Sequence, residues 1–219
     1  MKDIKDLTDI EKDVLKEFVN VGTGHAATSL GKLIDGTITI TVPELNVMPL
    51  GDVPGKLGGP EQRIVGLFFK IYGEMTGSIM VFFPKPSADN LAKLLTMGMG
   101  SIQDSEGTYD EMGRSSLMEL GNILANSYVN ALAEMLDIKV LISVPFFAED
   151  FLGAVIDPML IEIAMESDYA MLMETIMDSD AASLVAPATG TPAVRMGGTF
   201  IIFPDTPTLE KIFAKIGIS

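Results

Sequence analysis

Helical and extended patterns of hydrophobic residues alternate along this chain, and the same succession occurs twice. Apolar residues at helical spacing predict two long helices, over residues 9–34 and 109–136. Shorter apolar runs between turn residues predict strands. These strands lie near residues 37–50, 63–72, 75–83, 138–147, 159–177 (as two short runs) and 198–203. A short amphipathic helix is expected to end each succession.

The starts of the two long helices have the same short signal. Thr8 and Glu11, and likewise Thr108 and Glu111, have the Thr-x-x-Glu spacing of a capping box. In such a box the two side chains satisfy backbone N–H groups of the first helical turn. We therefore expect capping boxes to open both long helices.

The two successions are also related residue by residue. Residues 17–43 align with residues 119–145 at an offset of 102, and seven of the 27 positions are identical. Residues 77–95 resemble residues 197–216, since each segment has a strand, a Phe-Pro pair and a short helix. The offset is larger there, so the second half is expected to contain an added loop within residues 178–198.

This repetition predicts an α/β fold of the layered α+β type. Each unit has a long helix, three strands and a short helix. The two units are expected to form a shared, mostly antiparallel sheet, with the long helices packed together. We predict a single domain over residues 1–219, made of two pseudo-symmetric halves, about 1–100 and 101–219, which are linked near residues 96–107.

The first long helix contains the sequence GTGHAA at residues 22–27, which fits the form of a dinucleotide-binding loop. Two observations argue against that function. A helical pattern rather than a strand precedes the glycines, and the second copy has Leu124 and Asn126 in their places. We therefore expect the glycines to allow close approach, either of a partner molecule or of the twin helix.

The two copies share a different pattern: an Asp or Ser, a Glu four residues later, an Asn three residues later and a Pro after 22 more. These residues are Asp13, Glu17, Asn20 and Pro43 in one copy, and Ser115, Glu119, Asn122 and Pro145 in the other. On a helix the first three positions form one stripe. An ordinary solvated face is the simplest explanation. However, Asn is a mediocre helix former, so packing alone gives little reason to retain it twice.

Charge and composition exclude several functions. The net charge is −15, which disfavours binding to nucleic acid and to anionic lipid. There is no Cys and only one His, so the chain has neither a Cys-based zinc site nor a pair of His ligands. The apolar window at residues 64–84 contains Lys70 and Glu74, and it predicts two strands rather than a membrane span. The charged N-terminal residues do not resemble a signal peptide, so we expect a cytoplasmic protein.

The two motifs resemble those of the CheC/CheX/FliY family of chemotaxis phosphatases, in which Asp or Ser, Glu, Asn and Pro occur at these spacings. The segment NVGTGHAATSL, residues 20–30, is similar to the corresponding segment of CheC proteins. The resemblance covers essentially the whole chain. Two retained motifs, and only about one short helix after residue 204, indicate the CheC type rather than the CheX-like or FliY-like types.

The resemblance implies hydrolysis of the aspartyl phosphate on a CheY-type response regulator, at two similar sites. Asn20 and Asn122 would orient the attacking water, while Glu17 and Glu119 would pair with a Lys of the regulator. The regulator would supply Mg²⁺, so the chain would need no cofactor of its own. The receptor deamidase CheD is implied as a second partner. The remaining motif residues, expected to have supporting roles, are Asp13, Ser115, Pro43 and Pro145.

Other interpretations stay open. The same helix surface could belong to a non-enzymatic adaptor that binds a CheY-like regulator or CheD, although intact Asn at both sites favours the enzyme. A rotor switch component is disfavoured, because no appended domain is evident. His25 aligns with Ser127 and is expected to be structural. Asp9, Asp13 and Glu17 form an acidic ladder that could bind a divalent ion weakly, but it is interpreted as a solvated face near a helix N-terminus.

Overall fold

A computed structural model describes residues 9–97, 108–179 and 196–215, and most of its elements follow the predicted order. The elements of the first half are α1 (Asp9–Ile34), β1 (Ile38–Thr41), β2 (Leu45–Pro49), a 3₁₀ turn (Leu50–Asp52), α2 (Val53–Lys56), β3 (Arg63–Gly73), β4 (Gly77–Pro84) and α3 (Lys85–Leu95). Those of the second half are α4 (Glu111–Leu136), β5 (Val140–Ile142), β6 (Phe146–Phe151), α5 (Leu152–Ile163), β7 (Tyr169–Ser179), β8 (Met196–Pro204) and α6 (Thr206–Lys215).

The eight strands in the described part of the chain belong to one sheet, in the order β1-β7-β8-β4-β3-β5. β2 continues beside β7 and β6 continues beside β3. The pairings are antiparallel. The first two strands of each half therefore pair with the third strand of the other half, and β4 and β8 pair at the centre. The predicted shared antiparallel sheet is confirmed.

The central strands are apolar on both faces, because helices cover both sides of the sheet. In β4, Ile79 and Val81 belong to a core with the long helices α1 and α4, whereas Met80 and Phe82 belong to a second core with α5. This two-sided burial explains the nearly continuous apolar run over residues 64–84, which forms β3 and β4 as predicted. In the described residues, no helix is both long and apolar enough to cross a membrane.

The two long helices end in the same way, which explains one identity of the repeat. Asp35 and Asp137 both adopt left-handed backbone conformations, with φ of 50° and 56°. The next N–H group then bonds back into the last helical turn: Gly36 N donates to the Gly31 carbonyl and Ile138 N to the Ala133 carbonyl, each at 3.0 Å. This is the Schellman arrangement, and Asp tolerates its left-handed residue better than most side chains do.

The helices α1 and α4 come into close contact at Gly22 and Tyr128. A Cβ atom on Gly22 would lie 2.5 Å from Cδ1 of Tyr128 and 3.2 Å from its Cα. The Tyr128 ring is fully buried and its hydroxyl lies 3.1 Å from the Thr23 hydroxyl. Burial raises the pKa of Tyr128, so the phenol stays protonated and able to donate. Close approach of the twin helix at Gly22 is thus confirmed, while Gly24 has no atom within 4 Å of an added Cβ.

Three local predictions are wrong. Within the described residues each half has four strands rather than three, because the segments 37–50 and 138–147, each predicted as one strand, contain a proline, Pro43 or Pro145, between two separate strands. The region from residue 159 does not start as a strand, because α5 continues to Ile163 and buries Leu152, Val155, Ile156 and Ile163 at helical spacing. Pro158 inside this helix removes one backbone donor and crowds the carbonyl group one turn earlier, but packing of the apolar face outweighs this cost. The start of α4 is also different.

The N-terminus of α4 is capped by Asp110 rather than by Thr108. The Asp110 carboxylate accepts a hydrogen bond of 2.6 Å from Gly113 N. An Asp at the cap adds a negative charge at the positive end of the helix, which a Thr cannot do. The capping box predicted at Thr8 and most of the loop predicted within residues 178–198 lie outside the described residues.

The contact at Gly22 predicts opposite effects for two Gly→Ala exchanges in the same helix. Gly22→Ala should lower the free energy of unfolding by about 1–2 kcal/mol, because the overpacking at the Tyr128 backbone outweighs the helix propensity of Ala. Gly24→Ala, which meets open space, should raise it by up to about 1 kcal/mol. Urea unfolding followed by circular dichroism measures both, and equal shifts in the two variants would contradict the packing argument.

Candidate functional site

Four residues of the second motif line one groove beside α4. Ser115, Glu119 and Asn122 lie on the same side of this helix, and Pro145 faces them from the segment between β5 and β6. The groove has a volume of about 820 Å³. Its other lining residues are Glu111, Arg114, Met118, Asn126, Asn130, Val140, Leu141, Ile142, Ser143 and Val144. The helical stripe expected from the spacing therefore forms one wall of a concave surface.

The opposite wall is held in place by Ser143. Its N–H donates to the Lys70 carbonyl at 2.9 Å, and its hydroxyl accepts from the Lys70 N–H at 3.0 Å. The Ser143 hydroxyl also donates to the Val144 carbonyl at 2.8 Å. These bonds attach the end of β5 to β3, so the segment that contains Pro145 has a fixed position against the helix.

An amide pair lies on the α4 side of the groove. Asn126 Nδ2 donates to the backbone carbonyl of Asn122 at 2.9 Å and to its Oδ1 at 3.0 Å. Both side chains are half-buried. The Nδ2 group of Asn122 is then the part of its amide left for a bound molecule, and Oδ1 keeps a second lone pair.

A charged cluster anchors the chain just before α4. The Tyr109 hydroxyl donates to Asp89 Oδ1 at 2.6 Å, and Lys85 Nζ lies 2.6 Å from the same oxygen and 3.4 Å from Glu149 Oε1. The Lys85 ammonium also lies 3.9 Å from the centre of the Tyr109 ring. Burial, reinforced by Asp89, raises the pKa of Tyr109 far above its ordinary value. The cluster links α3, β6 and the start of α4, so the helix that presents the motif is fixed at its N-terminal end.

The rim of the groove combines a cation with exposed apolar side chains. The Arg114 guanidinium lies 4.9 Å from the centre of the Phe147 ring, which keeps it beside the groove. Leu141 and Val144 are 73% and 86% exposed. Single exposed apolar side chains are common, but neighbouring ones beside a concave polar site are typical of a docking surface for another protein.

The first motif lies on an open helix face. Asp13, Glu17 and Asn20 are all exposed on α1, and Asp13 pairs with Lys16 at 3.2 Å. This surface pair contributes little to stability. Pro43 lies between β1 and β2, as Pro145 lies between β5 and β6. The three helical residues share one face as predicted, but Gly24 stands where the second copy has Asn126.

The remaining candidates from the sequence do not form a site of their own. His25 is exposed on α1, two residues beyond the contact between Thr23 and Tyr128. Among the side chains that the structure describes, no three His, Cys, Asp or Glu residues lie close enough together to hold a metal ion. Gly22 and Gly24 lie inside a continuous helix rather than in a phosphate-binding loop.

The sequence also contains a signal that the motif comparison did not use. Asn122, Asn126 and Asn130 follow one another at intervals of four residues, which places them on one stripe of α4. Comparison of the two copies emphasised the positions that agree, and position 126 differs from position 24. The helical period alone, applied to the second copy, would have predicted the amide pair.

Comparison with known proteins identifies relatives over nearly the whole chain. The CheC-like family model matches residues 10–47 and 112–149, one segment for each motif, at the same offset as the internal repeat. The CheY-P phosphatase CheC of Bacillus subtilis is 29% identical over 210 residues, which cover 95% of both chains.

Solved structures show the same fold. Thermotoga maritima FliY has a TM-score of 0.70 at 21% identity, over 96% of this chain and 98% of that one. CheX of Borrelia burgdorferi, solved as a CheX-CheY-BeF3-Mg²⁺ complex, has a TM-score of 0.50 at 15% identity, over 86% of this chain and 97% of that one. The two matched segments and the relative that aligns over 95% of the chain confirm the CheC-family resemblance that the motifs predict.

Proposed function

We propose that this protein is a phosphatase that hydrolyses the aspartyl phosphate of a CheY-type response regulator. The observation that carries the proposal is the joint presence of Glu119 and Asn122 in one groove, beside an apolar rim suited to a protein partner. The relative from Bacillus subtilis that aligns over 95% of the chain has a name that states this activity. The CheX structure, a complex with CheY, supports a CheY-type partner for this fold.

The chemistry required of such an enzyme is limited. An aspartyl phosphate is an activated acyl phosphate, so its hydrolysis needs an in-line water and neutralisation of charge, and no nucleophile from the phosphatase. The amide of Asn122 would enter the regulator's active site and orient that water with one donor and one acceptor. An amide suits this role because it does not titrate. Glu119, one turn earlier on α4, would pair with a Lys of the regulator and set the docking register.

The other components would come from the partner. We propose that Mg²⁺ is bound by the regulator together with its phosphorylated Asp; the CheX structure, a CheX-CheY-BeF3-Mg²⁺ complex, supports this. Ser115 would support the helix face near Glu119, and Pro145 would shape the opposite wall of the groove. The second motif would thus form one site, called the second site. The first motif, Asp13, Glu17, Asn20 and Pro43, would form a more open site of the same kind, called the first site.

The role of the amides predicts the effect of removing them. Asn20→Ala and Asn122→Ala together should lower the rate of dephosphorylation roughly 10²–10³-fold, by analogy with the loss of one positioned hydrogen-bond group. The regulator would then lose its phosphate at its own autodephosphorylation rate. Binding should persist, since the exchanges remove little of the docking surface, and stability should hold because Ala is the better helix former. The decay of phosphorylated regulator over time measures the effect.

Asn130→Ala is the matched control for this experiment. It removes an amide from the same groove and the same helix without touching the motif, so its rate should equal that of the wild type. A double Asn variant that retains the wild-type rate would show that the motif is not the catalytic element. The adaptor function, in which the surface only binds its partner, would then be favoured.

The role of the glutamates predicts a loss of affinity rather than of stability. Glu17→Lys with Glu119→Lys replaces attraction to the regulator's Lys by repulsion, so the dissociation constant should rise at least roughly tenfold. Both side chains are exposed, so the free energy of unfolding should change by no more than about 0.5 kcal/mol per site. Calorimetric titration with a beryllofluoride-activated regulator measures the affinity.

A second variant with the same change in net charge serves as the control. Glu61→Lys with Glu134→Lys exchanges two exposed glutamates that do not belong to either motif, so the affinity should stay near the wild-type value. Equal weakening in both double variants would mean that net charge alone, and not the position of Glu17 and Glu119, determines binding.

A further inference from the structure

The two copies of the motif differ at the residue one helical turn after the Asn. Asn126 follows Asn122 by four residues on α4, and Gly24 follows Asn20 by four residues on α1. Residues at this spacing are neighbours on a helix surface. Asn122 therefore has a second amide beside it, whereas Asn20 has a residue without a side chain in that place.

The contacts of Asn126 fix which way its own amide points. One of its two amide atoms lies 2.9 Å from the backbone carbonyl of Asn122. A carbonyl oxygen only accepts, so this atom must be the Nδ2 donor. The orientation of Asn126 thus follows from a backbone group whose chemistry is unambiguous.

The same donor then fixes the orientation of Asn122. Its amide atom at 3.0 Å from Asn126 Nδ2 must be an acceptor, which makes it Oδ1. Turning the Asn122 amide over would place two donors against each other and would lose the bond. The Nδ2 group of Asn122 is therefore left for the groove, together with one free lone pair of Oδ1.

We propose that Asn126 is a positioning residue that holds the Asn122 amide in its productive orientation and makes the second site the faster of the two. This inference rests on the proposed phosphatase function and goes beyond it, because Asn126 is not part of the motif. A free amide must select one of two orientations and one rotamer in the transition state. An amide that is already held avoids part of this selection, which is the advantage of preorganised groups.

The test isolates each site in turn by disabling the other. In the Asn20→Ala background only the second site acts, and Asn126→Ala should lower kcat roughly three- to tenfold, the effect of one net hydrogen bond. KM should stay unchanged, because Asn126 acts through Asn122. An equal kcat in the two proteins would overturn the proposal, and so would a higher kcat in the Asn126 variant, since Asn126 would then restrain the amide.

An isosteric exchange separates positioning from mere space filling. Asn126→Asp keeps the shape of the side chain, but a carboxylate cannot donate a hydrogen bond. Its oxygens would attract the Nδ2 group of Asn122, so the Asn122 amide would rotate by about 180°. Its kcat should fall at least as far as that of Asn126→Ala. Asn130→Asp adds the same charge one turn further along the groove and should leave kcat near that of the parent. Full activity of Asn126→Asp would contradict the proposal.

The reciprocal experiment transfers the amide to the first site. In the Asn122→Ala background only the first site acts, and Gly24→Asn should raise kcat roughly threefold or more. The position accepts a side chain, because an added Cβ meets no atom within 4 Å. Gly24→Ala is the matched control, since it stabilises the helix without adding an amide, and it should not raise kcat. An equal effect of Asn and Ala at position 24 would refute the positioning role.

Failure of this inference differs from failure of the proposed function. If the regulator loses its phosphate no faster with the wild-type protein than by autodephosphorylation, the proposed phosphatase function is refuted. The positioning role is then refuted as well. If the wild type is active and Asn122→Ala lowers its rate, while the exchanges at positions 126 and 24 have no effect on kcat, only the positioning role is refuted. Helix content by circular dichroism confirms that each variant is folded before it is assayed.

Discussion

The structure depends on the strands that each half gives to the other. β1 and β2 of the first half pair with β7, and β5 and β6 of the second half pair with β3. Without these partners β3 and β7 would each leave a row of backbone N–H and C=O groups unpaired. The central pairing of β4 with β8 joins the two halves again. The helices α1 and α4, which present the two motifs, are therefore fixed on a sheet that neither half can complete alone.

Much of this architecture could be predicted because the sequence contains the same succession of helix and strand patterns twice. The identity of Asp35 and Asp137 reflects a left-handed helix end that few side chains adopt without strain. The apolar run over residues 64–84 reflects strands that are buried on both faces. The α5 helix was not predicted, because Pro158 in its sequence argues against a helix. Its stability comes instead from tertiary packing of its apolar face. The cap at Asp110 was missed because Thr108 offered an equally plausible local signal.

The candidate site was predictable in its helical part only. Spacing along one helix determines that Glu119 and Asn122 share a face, and repetition marks them as distinct from ordinary surface residues. The opposite wall comes from Leu141, Val144 and Pro145, whose position depends on hydrogen bonds between Ser143 and Lys70 of a different strand. Such a contact has no periodic signature in the sequence. Binding of CheD, which the family resemblance implies, stays a prediction.

The exchange of strands has a further consequence for how such a protein can change. A chain with only one unit would have to complete its sheet with a second copy of itself, as a symmetric homodimer. In a homodimer every substitution appears in both subunits, so the two sites stay identical. Here both units belong to one chain, and Asn126 can occur in one helix while Gly24 occurs in the other. A substitution can therefore change the rate or the affinity of one site without altering the other site.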